Sequence, residues 1–373
     1  MAATTAEQTA EHDEKLERLV RLAQAAGAEG LLLAAHHNIA WLTSGRHNRV
    51  DNSRETGSSR LLVTAAGRRY VLANAIEMPR MLDEVLAGLD YTPIEYPWVD
   101  DQDAAHAVRA ARGVLKEGAT MAADWPLPDT TSIEPRLMRA RARLTDGEIA
   151  RYRRLGRDVG LALGYVCRAL TPGDVELEIA RSVIDAAAGV GARAVVTLVG
   201  SDERLRRYRH PVPTGAAWKH VVMIALCAER DGVIVSLSRI VAAGAPADLE
   251  TRTGAAASVF GRVLAASRPG ATGAQLYDTL VQAYAAAGHA GEELKHHQGG
   301  AIGYRAREWV AHPRSQEVVE ERQAFAWNPT VTGTKVEDTA LVIGDRVEIV
   351  TPTPDWPSIG VDGGLKASGV WRL

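Results

Sequence analysis

Three prolines within residues 125–135, beside Asp129, Thr130, Thr131 and Ser132, give linker composition in the middle of this chain, and a helix-start signal follows. In Thr145-Asp146-Gly147-Glu148 the threonine can cap a helix while the glutamate reaches back to the cap, the reciprocal pair of a capping box. A break followed by a fresh start divides the chain into two folding units instead of one continuous core. The length of 373 residues agrees, since a domain takes roughly 100 to 200 residues. The boundary falls near residue 140, giving domains 1–140 and 141–373.

Before the break, helices and strands alternate. Leu16, Leu19, Val20, Leu22 and Ala23 recur at helical spacing up to a stop at Gly27. A strand follows at Gly30–Ala35, then Arg60–Thr64 and Arg69–Ala73 flank Ala65-Ala66-Gly67 as a hairpin, and Met78–Leu89 is a further helix. These elements make a small α/β domain. Met1–Lys15, small, polar and acidic, lacks the basic start and apolar stretch of a signal peptide and is expected to be a frayed tail.

After the break the pattern lengthens. A helix runs from the capping box to about Leu170, and Thr171-Pro172-Gly173-Asp174 turns the chain into a second helix, Glu176–Ala188. Val195–Val199 is β-branched and apolar, as a strand requires. His220–Ala228 and Val233–Leu237 form a hairpin turning at Arg230-Asp231-Gly232. Helices at Thr251–Ser267 and Thr272–Ala287 precede the closing strands.

A formal net charge of −3 and a pI near 6.4 give no sign of nucleic acid or an anionic membrane as partner. No apolar run approaches the roughly 18 residues of a membrane span. Cys167 and Cys227 each sit among apolar residues, which suits core thiols better than a disulfide or a metal pair, and points to a reducing cytoplasm.

The element order after the break resembles the catalytic domain of the peptidase M24 superfamily, the pita-bread fold of Xaa-Pro aminopeptidases and creatinase. The wording agrees at Leu144-Thr145-Asp146-Gly147-Glu148-Ile149, at Leu170-Thr171-Pro172-Gly173-Asp174-Val175-Glu176 and at Lys335-Val336-Glu337-Asp338-Thr339. The first domain resembles the creatinase-type partner domain, with Ile39–Gly45 where that domain has a strand and turn. The resemblance implies an α/β (α+β) chain: a creatinase-like N-terminal α/β domain, then a pita-bread domain, assembled as a homodimer.

Peptidases of that family hold two metal ions with two aspartates, one histidine and two glutamates, because hard dications want several anionic oxygens. By the resemblance those positions fall on Ala225, Ser236, Gly300, Asn328 and Glu337. Only Glu337 keeps a carboxylate, and one carboxylate cannot neutralise two dications. The expectation is therefore no metal and no cofactor. Creatinase implies that this fold can cleave a carbon–nitrogen bond without metal.

Candidates for that chemistry follow. His210 falls about where the family keeps an active-site histidine and could protonate a leaving nitrogen. Glu337, without a metal beside it, is expected to have its pKa raised by burial and to act as a general base; its alternative is a structural carboxylate paired with Lys335. His296 falls on another family histidine, and its neighbour His297 would point to the opposite face of a strand. Gly299-Gly300 allows close backbone approach or an anion at its amides, or is a plain turn. Tyr304, Arg305 and Arg307 fall where creatinase-like members hold substrate, with Asn328 beside them. In the first domain Arg46, His47, Arg49, Arg54 and Arg60 cluster, and the resemblance implies that such a cluster clamps a substrate carboxylate across the dimer; a solvated charge run is the alternative. His210, His296, His297, His312 and Glu337 are the set from which a mononuclear site could be rebuilt. The expected function is a metal-independent hydrolase or lyase acting on a carbon–nitrogen bond of a small carboxylate-bearing substrate. A non-catalytic ligand-binding protein and an Xaa-Pro aminopeptidase with a rebuilt metal site are the alternatives.

Overall fold

The computed structural model describes residues 5–103, 105–244 and 246–373, in two units, the first ending at Gly147 and the second running from Glu148 to Leu373. Among the described residues no helix is long and apolar enough to cross a membrane.

The first unit begins with helix Ala6–Ala26. The Thr5 hydroxyl accepts the Gln8 amide at 3.1 Å and the Gln8 side chain returns to the Thr5 amide, a capping box at the helix start. The helix ends at Gly27 with φ +62°, as glycine permits. Residues 5–15 are thus not a frayed tail; Met1–Thr4 of that expectation lie outside the described residues. Polarity misled here, because His12 and Lys15 are fully buried and Lys15 Nζ donates to Glu11 and, at 2.8 Å, to the Trp41 carbonyl.

Strands β1 (Gly30–Ala35), β2 (Thr56–Thr64), β3 (Arg69–Asn74), β4 (Thr92–Tyr96), β5 (Met121–Ala123) and β6 (Thr131–Ser132) form one sheet in the order β4-β3-β2-β1-β5-β6. The β1–β2–β3 core is antiparallel, with the outer strands parallel to their neighbours. The β2–β3 hairpin turns where the sequence placed it. Two local expectations change. Ile39–Gly45 belongs to helix His36–Leu42 and a turn through Ser44 (φ +56°), not a strand. The helical stretch from Met78 ends at Val85, its second half wound as a π-turn.

In the second unit, helices Asp146–Ala169 and Glu176–Gly189 precede β7 (Arg193–Ser201), β8 (Val221–Arg230) and β9 (Val233–Ala242). Asp231 (φ +51°) and Gly232 (φ +80°) close the β8–β9 hairpin with a two-residue loop whose left-handed residues match strand twist. Val370–Arg372 adds a fourth strand beside β9. Helices Leu249–Ala266 and Gly273–Ala286 follow, the second started by a Thr272–Gln275 capping box. Then β10 (Gly299–Ile302), β11 (Trp309–Val310), β12 (Gln323–Trp327), the small pair β13 (Thr330–Val331) and β14 (Thr334–Lys335), β15 (Asp338–Ile343) and β16 (Arg346–Ile349) complete the unit. The second sheet has the order β11-β10-β12-β15-β16 and is antiparallel throughout.

The two sheets lock where β9 meets the start of β15. The Ser236 amide donates to Thr339 Oγ1 at 2.7 Å, Thr339 Oγ1 donates back to the Ser236 carbonyl at 2.9 Å, and the Ser238 amide donates to the Glu337 carbonyl at 3.0 Å. This junction brings the β8–β9 hairpin against residues 335–338. The long helix lies equally close to residues 350–352: a Cβ on Gly156 or Gly160 would overlap the carbonyls of Val350 and Pro352.

Candidate functional site

A cavity of about 340 Å³ opens in the second unit, lined by His210, His297, Arg307, Asn328, Lys335 and Glu337 together with one face of the β7–β8–β9 sheet. That face follows from strand alternation: Val196 and Leu198 on β7 lie beside Cys227 and Ala225 on β8, which pair with Ser236 and Ser238 on β9. None of the six carries a charge.

Glu337 is buried between β14 and β15, at 4% exposure. Its Oε2 accepts the Ser238 hydroxyl at 2.5 Å, its Oε1 accepts Arg307 Nη2 at 3.4 Å, and Lys335 Nζ stands 3.8 Å from Oε2. Burial alone would raise the carboxyl pKa, but Lys335, Arg307 and the hydrogen bonds outweigh it and hold the pKa below the ordinary glutamate range. The shift is opposite to the one expected for a general base raised by burial and agrees in sign with the alternative, a carboxylate paired with Lys335, to which the fold adds Arg307. Burial in turn lowers the Lys335 pKa, with Glu337 opposing. The backbone beneath this group is fixed by Arg239, buried at 1% exposure. Its Nη2 donates to Asp338 Oδ1 at 2.9 Å and to the Thr351 carbonyl at 2.7 Å, and its Nη1 donates to the Ser238 carbonyl at 2.7 Å.

His210 lies in the loop after helix Asp202–Arg207, which follows β7, and fully buried Glu176 ties the strand end, the helix and that loop together. Glu176 accepts from the Ser201 hydroxyl at 2.8 Å, Arg204 Nε at 3.1 Å and both the amide and hydroxyl of Thr214. His210 Nε2 lies 2.9 Å from His296 Nε2, a hydrogen bond in which one imidazole donates and the other accepts. His296 and His297 do not sit on a strand. They precede β10 in irregular backbone, and both rings gather at His210, with centroids 4.8 and 5.5 Å from it. Burial lowers the pKa of all three: His210 and His296 with help from Lys335, His297 to about 4 with help from Arg307. Of the three, His296 is buried, whereas the His210 and His297 rings keep contact with solvent, which weakens the effect of burial on them.

The family's two-metal set does not fit. Ala225, Ser236, Gly300 and Asn328 offer no carboxylate or imidazole, and two organic cations flank the surviving Glu337. Gly300 lies in β10 between β11 and β12, where a Cβ would overlap the Trp309 carbonyl oxygen, so this backbone has no room for a histidine. Gly299-Gly300 is accordingly a strand segment, not an anion-binding turn. Among the described residues the potential ligand atoms that converge are those of His210, His296 and His297, all within 4.8 Å of one another, and Lys335 and Arg307 are the cations that would oppose an ion there. His312 is exposed and accepts the Arg314 amide.

The structure thus brings together His210, His296, His297, Arg307, Asn328 and Glu337. It directs Tyr304 elsewhere: its buried hydroxyl donates to Glu148 at 2.8 Å and meets Arg151 Nη2 at 3.1 Å, at the start of the long helix. Arg305 is exposed. In the first unit, Arg46 donates to the carbonyls of Val85 and Ala87 and Arg60 to those of Gly57 and Ser59, so both are tied to local backbone; Arg49 is half-buried. Cys227 and Ser238 at the cavity, and Arg239 beneath it, were not singled out from the sequence as site residues. Their signal in the sequence is membership of the same hairpin, and that of Lys335 is its place two residues from Glu337.

The model of metallopeptidase family M24 matches residues 150–350. No curated protein matches the sequence. The dipeptidase PepE of Mycobacterium ulcerans is 18% identical, with a TM-score of 0.79 over 98% of this chain and 99% of that one. The Xaa-Pro dipeptidase of Bacillus anthracis is 17% identical, with a TM-score of 0.73 over 97% and 100%. The N-terminal domain of the FACT complex subunit SPT16 of Cicer arietinum (chickpea) is 12% identical, with a TM-score of 0.69 over 92% and 97%. At such identities the likeness is one of fold.

Proposed function

Starting from the fact that the chain belongs to metallopeptidase family M24, we propose that it is a hydrolase or lyase that cleaves a carbon–nitrogen bond of a small carboxylate-bearing substrate without metal. The observation that carries this reading is the hydrogen-bonded His210–His296 pair beside a cavity in which Lys335 and Arg307 face Glu337. His210 takes a proton from water or passes one to the leaving nitrogen, and His296 exchanges it across the 2.9 Å contact. Glu337, held by Ser238 and Arg307 with its pKa lowered by Lys335 and Arg307, accepts from water and orients it. Arg307 presents its guanidinium to the substrate carboxylate. A homodimeric, cytoplasmic protein is part of the same reading.

The test is elemental analysis of chelator-treated protein beside a turnover screen on N-substituted amino acids and dipeptides. Turnover with less than stoichiometric metal supports the proposal. Activity lost with chelator and restored by a divalent ion sinks it. A second reading, a binding protein without catalysis, draws support from the same fold occurring in a subunit of the FACT complex. A ligand that binds saturably and is returned chemically unchanged distinguishes it.

A further inference from the structure

The cavity's polar groups are unequally satisfied. Glu337 is committed to Ser238, Arg307 and Lys335, whereas Asn328 Oδ1 and Arg307 Nε are buried with no hydrogen-bond partner among the described residues. A buried acceptor and a buried donor left open are costly, and a ligand that fills both recovers that cost. The same cavity is lined by the uncharged face of Val196, Leu198, Ala225 and Cys227, with Val196 and Leu198 only partly covered. Two cations and one carboxylate leave no anion free to receive a cationic group, and like charges brought together in a partly dry cavity repel strongly.

We propose that the cavity is specific for an N-acylated amino acid: a secondary amide whose N–H donates to Asn328 Oδ1, whose carboxylate meets Arg307 and Lys335, and whose acyl group is uncharged and apolar against Val196, Leu198 and Ala225. Substrates with an ammonium or guanidinium group, such as free dipeptides or creatine, are disfavoured. The inference deepens the carbon–nitrogen reading and names the bond as an amide, but its binding claim stands without turnover. A cavity of about 340 Å³ suits a ligand of this size.

The test is calorimetric titration of the purified full chain with N-benzoylglycine, its methyl ester, creatine and glycylproline. N-benzoylglycine is expected to bind, and each of the other three to bind weaker by roughly tenfold or more. Creatine or glycylproline binding as tightly as N-benzoylglycine, or no binding of N-benzoylglycine at millimolar concentration, overturns the inference. Leu198→Asp, on the partly covered wall, is expected to invert the order, weakening N-benzoylglycine and strengthening creatine. A merely misfolded variant would lose both, so inversion supports the assigned wall, and an unchanged order in a folded L198D overturns it. N-benzoylglycine bound but never cleaved, with no other N-acyl amino acid cleaved, sinks the catalytic reading and leaves this specificity standing.

Discussion

Lys335 Nζ stands 3.8 Å from Glu337 Oε2, too far for a hydrogen bond and close enough for each charge to stabilise the other, with both side chains at most 5% exposed. Arg307 approaches the same carboxylate from the other oxygen. A single buried anion therefore balances two cations, and the site's charges depend on all three. Glu337→Gln is expected to cost about 3 kcal/mol of stability, because it leaves buried cations uncompensated. Lys335→Met combined with Glu337→Gln is expected to cost less than the sum of the two, and urea unfolding of the four variants in a double-mutant cycle reads the difference.

Arg239 and Asp338 form a second buried pair, 2.9 Å apart, from which the backbone at Glu337 is held. Arg239→Met is expected to cost about 3–5 kcal/mol by stranding the Asp338 carboxyl. Adding Asp338→Asn should restore part of that loss in equilibrium unfolding, since the stranded charge is then gone.

The pH dependence follows from a histidine that folding keeps neutral. Burial lowers the pKa of His12, which is fully buried, from 6.5 to about 4. A histidine with a depressed folded pKa is protonated first in the unfolded chain. Its neutral form therefore costs nothing above the unfolded pKa, and stability falls as pH drops from about 6.5 toward 4. Urea midpoints measured across that window should decline with acid, and His12→Gln should flatten the decline by up to about 3 kcal/mol.

Gly300→His would put an imidazole where the family resemblance places a metal-ligand histidine, yet the backbone argues against a site there. Its Cβ would overlap the Trp309 carbonyl across the β10–β11 pair. The variant is expected to lose about 2 kcal/mol or more and to take up no additional divalent ion in elemental analysis.

Gly160→Ala separates helix propensity from packing. In an exposed helix the change would gain about 1 kcal/mol. Here the methyl would overlap the Pro352 carbonyl, so a lowered melting temperature is expected instead.

The sequence by itself determined the elements whose signals are local. The long helix from Asp146, the β2–β3 hairpin and the Asp231-Gly232 turn follow from capping chemistry, alternation and left-handed glycine, each acting within a few residues. That Ala225, Ser236, Gly300 and Asn328, where the family resemblance puts metal ligands, carry neither a carboxylate nor an imidazole is equally legible, because residue type needs no coordinates. What tertiary structure decided was the outcome of competition between distant groups. The polar start of the first helix is ordered because Lys15 and His12 find burial against its own unit. Tyr304 turns to Glu148 and Arg151, whereas Arg307, three residues on, reaches Glu337. The sign of the Glu337 shift belongs to the same class: burial raises it, Lys335 and Arg307 lower it, and only the distances set by the β9–β15 junction determine which wins.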